Sequence, residues 1–128
     1  MARIDPLIAV VDDEAPVRTM LGRLLRLADY EVAAFASGEE FLASVTQLTP
    51  ACALLDIHMP GLSGFDVQSL LRASGSDVPI VFITASDDPG LDRTVHEAGG
   101  VKLLRKPFSN DELLAAVDAA IAGSAAAS

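Results

Sequence analysis

Five side chains that could take part in phosphoryl chemistry stand at the ends of short apolar runs: Asp12, Asp13, Asp56, Thr84 and Lys106. Three carboxylates held close together repel one another, so they favour a cation that neutralises them. Mg2+ is bound by a few carboxylates, keeps several waters and accepts phosphate oxygens. Such a set predicts phosphoryl transfer to a carboxylate, with a hydroxyl and an ammonium group to hold the phosphate oxygens.

Each of these residues also has an ordinary structural explanation. The acidic pair stands shortly before Pro16 and fits the start of a helix, and Asp56 begins the turn-forming segment 56–61. Thr84 fits a strand, and Lys106 fits an exposed surface charge. Taken singly, these structural explanations are preferred. The chemical interpretation therefore depends on whether one fold brings all five side chains together.

The apolar runs have the composition of buried strands. Strands of a parallel sheet that is covered by helices on both faces are continuously apolar, without polar alternation. Four runs are predicted as strands, at residues 7–11, 53–55, 80–83 and 101–104, and three of them show no polar alternation. A fifth run, at residues 32–36, is weaker and suits the edge of a sheet.

Amphipathic stretches separate the strands and predict helices. The apolar faces of the first and last helices consist of Val17, Met20, Leu21, Leu24, Leu25 and Ala28, and of Leu113, Leu114, Val117 and Ile121. Residues 37–40 and 109–112 have the capping-box form, in which Ser and Glu satisfy exposed backbone N–H groups. Asp88-Pro89 predicts another helix start and Gly99-Gly100 its end. A third helix is predicted over residues 64–73.

Five strand–helix units in succession predict an α/β fold. Because parallel crossovers are right-handed, the pattern predicts a doubly wound, five-stranded parallel sheet of order 2-1-3-4-5, with a flavodoxin-like (βα)5 architecture. Ligands of such sheets bind beyond the carboxyl ends of the strands, where the reactive residues would meet. We therefore expect Asp56, at the end of the central strand, to be the nucleophile. The Lys106 ammonium and the Thr84 hydroxyl would hold phosphoryl oxygens.

Length and composition narrow the class of protein. A chain of 128 residues fits one domain, and its net charge of -9 disfavours direct binding to nucleic acid. No apolar run reaches the ~20 residues that a membrane span requires. The single cysteine, Cys52, cannot form an internal disulfide and points to a reducing compartment. We therefore expect a cytoplasmic protein with no membrane association.

Four segments around the reactive residues resemble the signature blocks of response-regulator receiver domains, which belong to two-component signalling. The segments are Val10-Val11-Asp12-Asp13-Glu14, Leu55-Asp56-Ile57-His58-Met59-Pro60-Gly61, Ile83-Thr84-Ala85 and Lys106-Pro107-Phe108. Each block alone is weak, whereas four in this order and spacing are highly specific. The resemblance covers about residues 7–121, and residues 56–71 are most similar to receivers of the LuxR/FixJ-like type.

The resemblance implies a function for the domain. Asp56 would accept a phosphoryl group from a histidine kinase or a phosphotransfer protein, and the domain would then change its partner binding. Mg2+ would be held by Asp12, Asp13, Asp56 and the backbone carbonyl of His58. The domain would not be an enzyme beyond catalysing its own phosphorylation and dephosphorylation, and its output partner is left open.

The resemblance also implies the phosphoryl contacts and the domain limits. Lys106 and Thr84 would contact the phosphoryl group, and the Lys106-Pro107 peptide bond would be cis. We expect the receiver domain to span residues 1–122, followed by a flexible Ala/Ser-rich tail over residues 123–128.

The fifth predicted strand departs from the family pattern. Leu103 stands where most members have Tyr or Phe, whose rotamer follows the movement of the Thr. Lys102 and Arg105 stand where acidic residues are common in receivers most like this one. These departures leave the phosphorylation chemistry intact. However, we expect phosphorylation to reorganise residues 85–90, after Thr84, more than Leu103 itself.

Three other functions use parts of the same pattern. A Mg2+-dependent phosphatase or phosphotransferase resembling the haloacid dehalogenase family also uses an aspartate nucleophile, but His58 stands where such enzymes need an acid/base Asp. A receiver-like interaction module that works without phosphorylation would keep every site residue intact for no evident reason. A dinucleotide-binding module is disfavoured, because the turn at residues 12–15 has no glycine and would repel pyrophosphate.

Overall fold

The computed structural model describes residues 5–127 of the chain, with side chains described for residues 5–123. Five parallel strands form one sheet: β1 (Leu7–Val11), β2 (Glu31–Phe35), β3 (Cys52–Asp56), β4 (Ile80–Thr84) and β5 (Lys102–Arg105). The helices are α1 (Ala15–Leu27), α2 (Gly38–Leu48), α3 (Gly64–Ala73), α4 (Gly90–Glu97) and α5 (Asn110–Ala127). Within this range, no helix combines the length and apolar character that crossing a membrane requires.

The strands are arranged in the order β2-β1-β3-β4-β5, and all neighbouring pairs are parallel. This confirms the predicted fold class and strand order. β3 and β4 are buried along their whole length, as expected for continuously apolar strands with helices on both faces. β2 is only partly buried and lies at one edge of the sheet, also as predicted.

Two apolar clusters fill the space between the sheet and the helices. On one face, α1 and α5 contribute Leu21, Leu25, Leu113 and Val117 to the cluster. On the other face, α2, α3 and α4 contribute, among others, Phe41, Val67, Leu71 and Val95. Each strand contributes alternate residues to the two clusters, because successive side chains of a strand point to opposite faces of the sheet.

The predicted apolar face of α1 is partly wrong. Leu21 and Leu25 are fully buried, but the Met20 side chain is 53% exposed. Leu21 and Leu25 are four positions apart and lie on one line along the helix, whereas Met20 projects about 100° away from Leu21. The helix therefore buries a narrower stripe than its apolar residues suggest.

Side-chain caps fix the starts of three helices. Ser109 and Glu112 form the predicted reciprocal pair at the start of α5. At α2, Ser37 accepts the N–H of Glu40 as predicted, but the Glu40 carboxylate accepts the N–H of Ala36 instead of that of Ser37. The sequence analysis missed the full capping box at α3, which consists of Ser63 and Asp66. It was overlooked because an Asp takes the place of the usual Glu.

The last helix runs through Ala127. It therefore extends into residues 123–128, which the sequence analysis assigned to a tail. Ser128 lies outside the described residues, as do the side chains from residue 124 onward. The limit of the receiver domain at residue 122 stays a prediction.

The start of α3 lies against the end of the central strand. The Gly64 N–H donates to the carbonyl of Ile57 at 3.0 Å. A Cβ atom on Gly64 would lie 2.8 Å from the carbonyl oxygen of Asp56 and 3.1 Å from the Cα of Ile57. Both neighbours are backbone atoms, which cannot rotate away as a flexible side chain can. The absence of a side chain at Gly64 thus allows α3 to approach Asp56 closely.

We predict that Gly64→Ala lowers the free energy of unfolding by about 1–3 kcal/mol, the usual cost of overpacking. Gly123→Ala is the matched control, because a Cβ atom there would meet nothing within 4 Å. The control variant should be unchanged or slightly more stable, since Ala is the better helix former. Urea unfolding curves measure the difference. Equal midpoints for Gly64→Ala and Gly123→Ala would contradict this account of the contact.

Candidate functional site

The carboxyl ends of four strands carry the predicted site residues. Asp56 and Thr84 are the last residues of β3 and β4, whereas Asp12 and Lys106 directly follow β1 and β5. Since β1, β3, β4 and β5 are consecutive in the sheet, their ends lie along one edge. The strand order thus brings the selected side chains to the same end of the sheet.

Three carboxylates form a cluster at this edge. Asp12, Asp13 and Asp56 each offer an oxygen atom, and these atoms all lie within 4.8 Å of one another. Asp12 and Asp56 are buried, with exposed fractions of 1% and 5%, whereas Asp13 is exposed. Two buried carboxylates and one exposed carboxylate thus lie close together at the end of the sheet.

Asp12 is the most firmly held of the three. Its Oδ1 accepts the N–H of Glu14 at 2.9 Å, and its Oδ2 lies 3.3 Å from the Lys106 ammonium. Arg18, on α1, donates to the Asp12 carbonyl at 2.7 Å. The contact of Arg18 was not predicted, because an arginine in the first turns of a helix gives no pattern that distinguishes it from a surface charge.

Asp56 lies in surroundings that disfavour its ionised form. Burial, followed by the neighbouring Asp12 carboxylate and more weakly by Asp13, raises the pKa of Asp56 to about 6 against two opposing effects. The opposing effects come from the Lys106 ammonium and from the His58 N–H, which donates to Oδ1 at 3.2 Å. A cation bound at the cluster would favour the ionised carboxylate, which is the form that can act as a nucleophile.

Thr84 is fully buried and begins a series of hydrogen bonds between residues two apart. Its Oγ1 accepts the N–H of Ser86 at 3.0 Å, and the Ser86 Oγ accepts the N–H of Asp88 at 3.1 Å. Asp88 Oδ1 then accepts the N–H of Gly90 at 2.9 Å, at the start of α4. The signal for this series is the i, i+2 spacing of Thr, Ser and Asp, which favours local turns. We did not use that signal in the sequence analysis.

The remaining predicted residues lie around the cluster. Lys106 is 22% exposed and also lies 3.9 Å from the Glu14 carboxylate. The Lys106-Pro107 peptide bond is cis, which confirms the prediction. The His58 residue is exposed, and the metal contact of its backbone carbonyl stays a prediction.

β5 carries the departures from the family pattern. Leu103 is half-buried and packs against the apolar cluster on the α4 side of the sheet. Lys102 is exposed, whereas Arg105 pairs with Asp92 of α4. Arg105 was predicted only as a departure from the family pattern, and its ion pair was not predicted because it joins residues on two different elements.

Comparisons with known proteins identify the family of the chain. The family model of the response regulator receiver domain matches residues 8–118. The chain is 40% identical over 114 residues to nodulation protein W of Bradyrhizobium diazoefficiens, which covers 89% of this chain and 50% of that protein. It is 35% identical over 114 residues to the transcriptional regulatory protein FixJ of the same organism, and this match covers 89% of this chain and 56% of FixJ. A response regulator receiver protein from Burkholderia phymatum has a similar crystal structure, with a TM-score of 0.82 and 39% identity. The match covers 92% of this chain and 96% of that chain.

The family match extends over most of the described chain, from β1 into α5. The chain spans about half the length of the two curated relatives. The family match, together with the strand order and the acidic cluster, shows that the chain belongs to the response regulator receiver domain family of two-component signalling.

Proposed function

We propose that Asp56 accepts a phosphoryl group and that Mg2+ is held by Asp12, Asp13, Asp56 and the backbone carbonyl of His58. The observation that carries this proposal is the set of three carboxylate oxygens within 4.8 Å of one another, with the Lys106 ammonium beside Asp12. Two of these carboxylates are buried. Buried negative charges at this spacing are costly unless a cation is shared among them.

The donor set fits Mg2+. Carboxylate oxygens, a backbone carbonyl and retained waters are the ligands that this ion prefers, and the cluster supplies no thiolate or imidazole ligand that would favour a softer metal. When bound, the ion would neutralise charge on the phosphoryl oxygens.

The side chains of the chain supply the rest of the chemistry. An oxygen of the Asp56 carboxylate attacks phosphorus, the new O–P bond forms, and the bond from phosphorus to the donor atom breaks. With a phosphohistidine donor, the imidazole nitrogen leaves with the electron pair. The Lys106 ammonium and the Thr84 hydroxyl donate hydrogen bonds to phosphoryl oxygens, which carry most of the negative charge in the transition state.

The proposed partners follow from this chemistry. The donor is a histidine kinase or a phosphotransfer protein, and phosphorylation changes the binding of an output protein or domain. Two relatives, TdiR of Thauera aromatica and FixJ of Bradyrhizobium diazoefficiens, are transcriptional regulatory proteins. The net charge of -9 makes this segment itself a poor ligand for nucleic acid. We infer a cytoplasmic signalling role in which the domain catalyses only its own phosphorylation and dephosphorylation.

Phosphorylation of Asp56 by acetyl phosphate should require both the carboxylate and the metal. We expect the native protein to gain the mass of one phosphoryl group with Mg2+ and to show little labelling with a chelator. Asp56→Asn should not be labelled, whereas Asp77→Asn, at an exposed carboxylate before β4, should be labelled like wild type. Intact-mass spectrometry measures all four samples. Equal labelling of wild type and Asp56→Asn would contradict the assignment of Asp56 as the phosphoacceptor.

Lys106→Ala should leave the fold intact but slow phosphorylation or uncouple the response to it. The ammonium group lies beside Asp12 and lowers the pKa of Asp56, so its loss leaves the carboxylates less compensated. We expect the labelling rate to fall at least about tenfold, as for other single donors to a charged transition state. Lys102→Ala is the control, because Lys102 is an exposed lysine of the preceding strand. If both variants match wild type in labelling rate and in partner binding, Lys106 is only a surface charge.

The stability of the metal-free protein should fall as the pH rises through about 6. The pKa of Asp56 is about 6 in the folded protein, against 3.8 for the free side chain. Between these values the folded chain holds a proton that the unfolded chain has lost, so raising the pH favours unfolding. The loss is complete somewhat above pH 6 and amounts to at most about 3 kcal/mol.

Urea unfolding in a chelating buffer at pH 4.5, 6 and 7.5 tests this dependence. Asp56→Asn should remove the loss of stability attributed to this carboxyl, whereas Asp77→Asn should keep it. A wild-type pH dependence that persists unchanged in Asp56→Asn would show that Asp56 is not the group responsible.

A further inference from the structure

Arg105, the last residue of β5, joins three parts of the structure. Its guanidinium group forms two parallel contacts with the Asp92 carboxylate of α4, at N–O distances of 3.2 and 3.0 Å. The same group donates to the backbone carbonyl of Asp88 at 2.7 Å. Arg105 therefore ties the β4–α4 loop and the first turn of α4 to the edge of the sheet.

This loop is connected directly to the site. Thr84, Ser86, Asp88 and the start of α4 are linked by the series of side-chain-to-backbone hydrogen bonds described above. A displacement of the Thr84 hydroxyl stretches or breaks the bond to the Ser86 N–H. Arg105 holds the other end of the same series, through the Asp88 carbonyl. The contacts of Arg105 would thus resist a movement of the loop that begins at Thr84.

Charge and geometry strengthen the contacts of Arg105. Its hydrogen bond to Asp92, together with the charges of Asp92, Asp87 and Asp88, raises the pKa of Arg105, and the same pairing lowers the pKa of Asp92. An exposed ion pair with a single contact is worth little. A forked pair with an added backbone hydrogen bond restrains geometry more strongly, and Lys cannot reproduce it. The Arg105 side chain is only 32% exposed.

Leu103, two positions before Arg105 on β5, supplies no polar contact to the loop. Leu103 packs into the apolar cluster beneath α4 and has no polar group to offer to the loop. Among the described residues, Arg105 is the residue of β5 whose side chain hydrogen-bonds to residues 85–90. Any restraint that β5 places on the loop through a polar side chain is therefore exerted at position 105.

We propose that Arg105 is a latch: a positioning residue that holds residues 85–90 in this conformation and opposes their rearrangement when Thr84 contacts a phosphoryl group on Asp56. The inference rests on the proposed function, since the phosphoryl group is what draws Thr84. Coupling between two sites is reciprocal. If the phosphoryl group weakens the Arg105 contacts, removal of those contacts tightens the binding of a phosphoryl mimic.

The affinity for beryllofluoride in the presence of Mg2+, measured by amide NMR titration, tests the latch. We expect Arg105→Ala to bind about fivefold more tightly than wild type, at the lower end of the usual range of coupling because the ion pair is partly exposed. Asp92→Asn should act in the same direction, which separates the latch from any effect of position 105 on the adjacent Lys106. Arg105→Lys should resemble Arg105→Ala more than wild type, since it keeps the charge but loses the fork.

Arg93→Ala is the matched control. Arg93 forms an exposed, single-contact ion pair with Glu97 within α4, so its removal deletes an arginine and an ion pair of the same helix without touching the loop. This variant should bind beryllofluoride like wild type. Hydrogen exchange of the amides at residues 86–88 and 90, without beryllofluoride, should be faster in Arg105→Ala and Asp92→Asn and unchanged in Arg93→Ala.

The outcomes separate the latch from the proposed function. Wild-type protein that shows no saturable response to beryllofluoride contradicts the phosphoacceptor proposal, and the coupling falls with it. Wild-type binding with unchanged or weaker affinity in Arg105→Ala and Asp92→Asn overturns the latch alone. Unchanged exchange of the loop amides in both variants also overturns it, whatever the affinities.

Discussion

Repulsion among three carboxylates at the end of a buried sheet is the constraint on which the rest of the site depends. Asp12 and Asp56 are placed there by β1 and β3, whose apolar residues fix the ends of both strands. Both side chains are buried in the folded protein. The structure offsets part of the repulsion internally, through Lys106 near Asp12 and the His58 N–H at Asp56. Burial of the Asp56 carboxyl, and after it the repulsion from Asp12 and Asp13, still raise the pKa of Asp56, and a divalent cation is the simplest way to offset the repulsion.

The same constraint connects the site to its surroundings. Under the proposed function, a phosphoryl group on Asp56 would add negative charge at the end of the sheet where Thr84 also lies, and the Thr84 hydroxyl oxygen already accepts a backbone N–H of the loop. A change at Thr84 would therefore be transmitted first to the backbone of the β4–α4 loop. In this chain the loop is tied to β5 by an arginine, and an aliphatic side chain fills the position where an aromatic ring is common. The read-out of phosphorylation is thus expected to depend more on a polar contact of the loop than on a ring that changes rotamer.

Much of the fold and the composition of the site could be predicted from the sequence, because both are set by patterns within single elements. Continuous apolar runs gave the strands, and the rule that ligands bind at strand ends selected Asp12, Asp56, Thr84 and Lys106 together. Contacts between elements could not be predicted in this way. The bond from Arg18 to the Asp12 carbonyl and the pairing of Arg105 with Asp92 depend on how α1 and α4 are rotated against the sheet. Met20 was wrongly predicted on the buried face of α1 for the same reason, since the width of a buried stripe depends on the neighbouring element.

The most direct test of the central claim is a Mg2+ titration of the native protein, followed by amide NMR shifts at pH 7.5 and at pH 5. We expect one saturable site, with the largest shifts at residues 12, 13 and 56–58. At pH 5 the affinity should be clearly weaker, because a proton on Asp56 competes with the ion. Absence of a saturable response at pH 7.5, or an affinity that is the same at both pH values, would contradict the claim that the carboxylate cluster is a cation site coupled to Asp56.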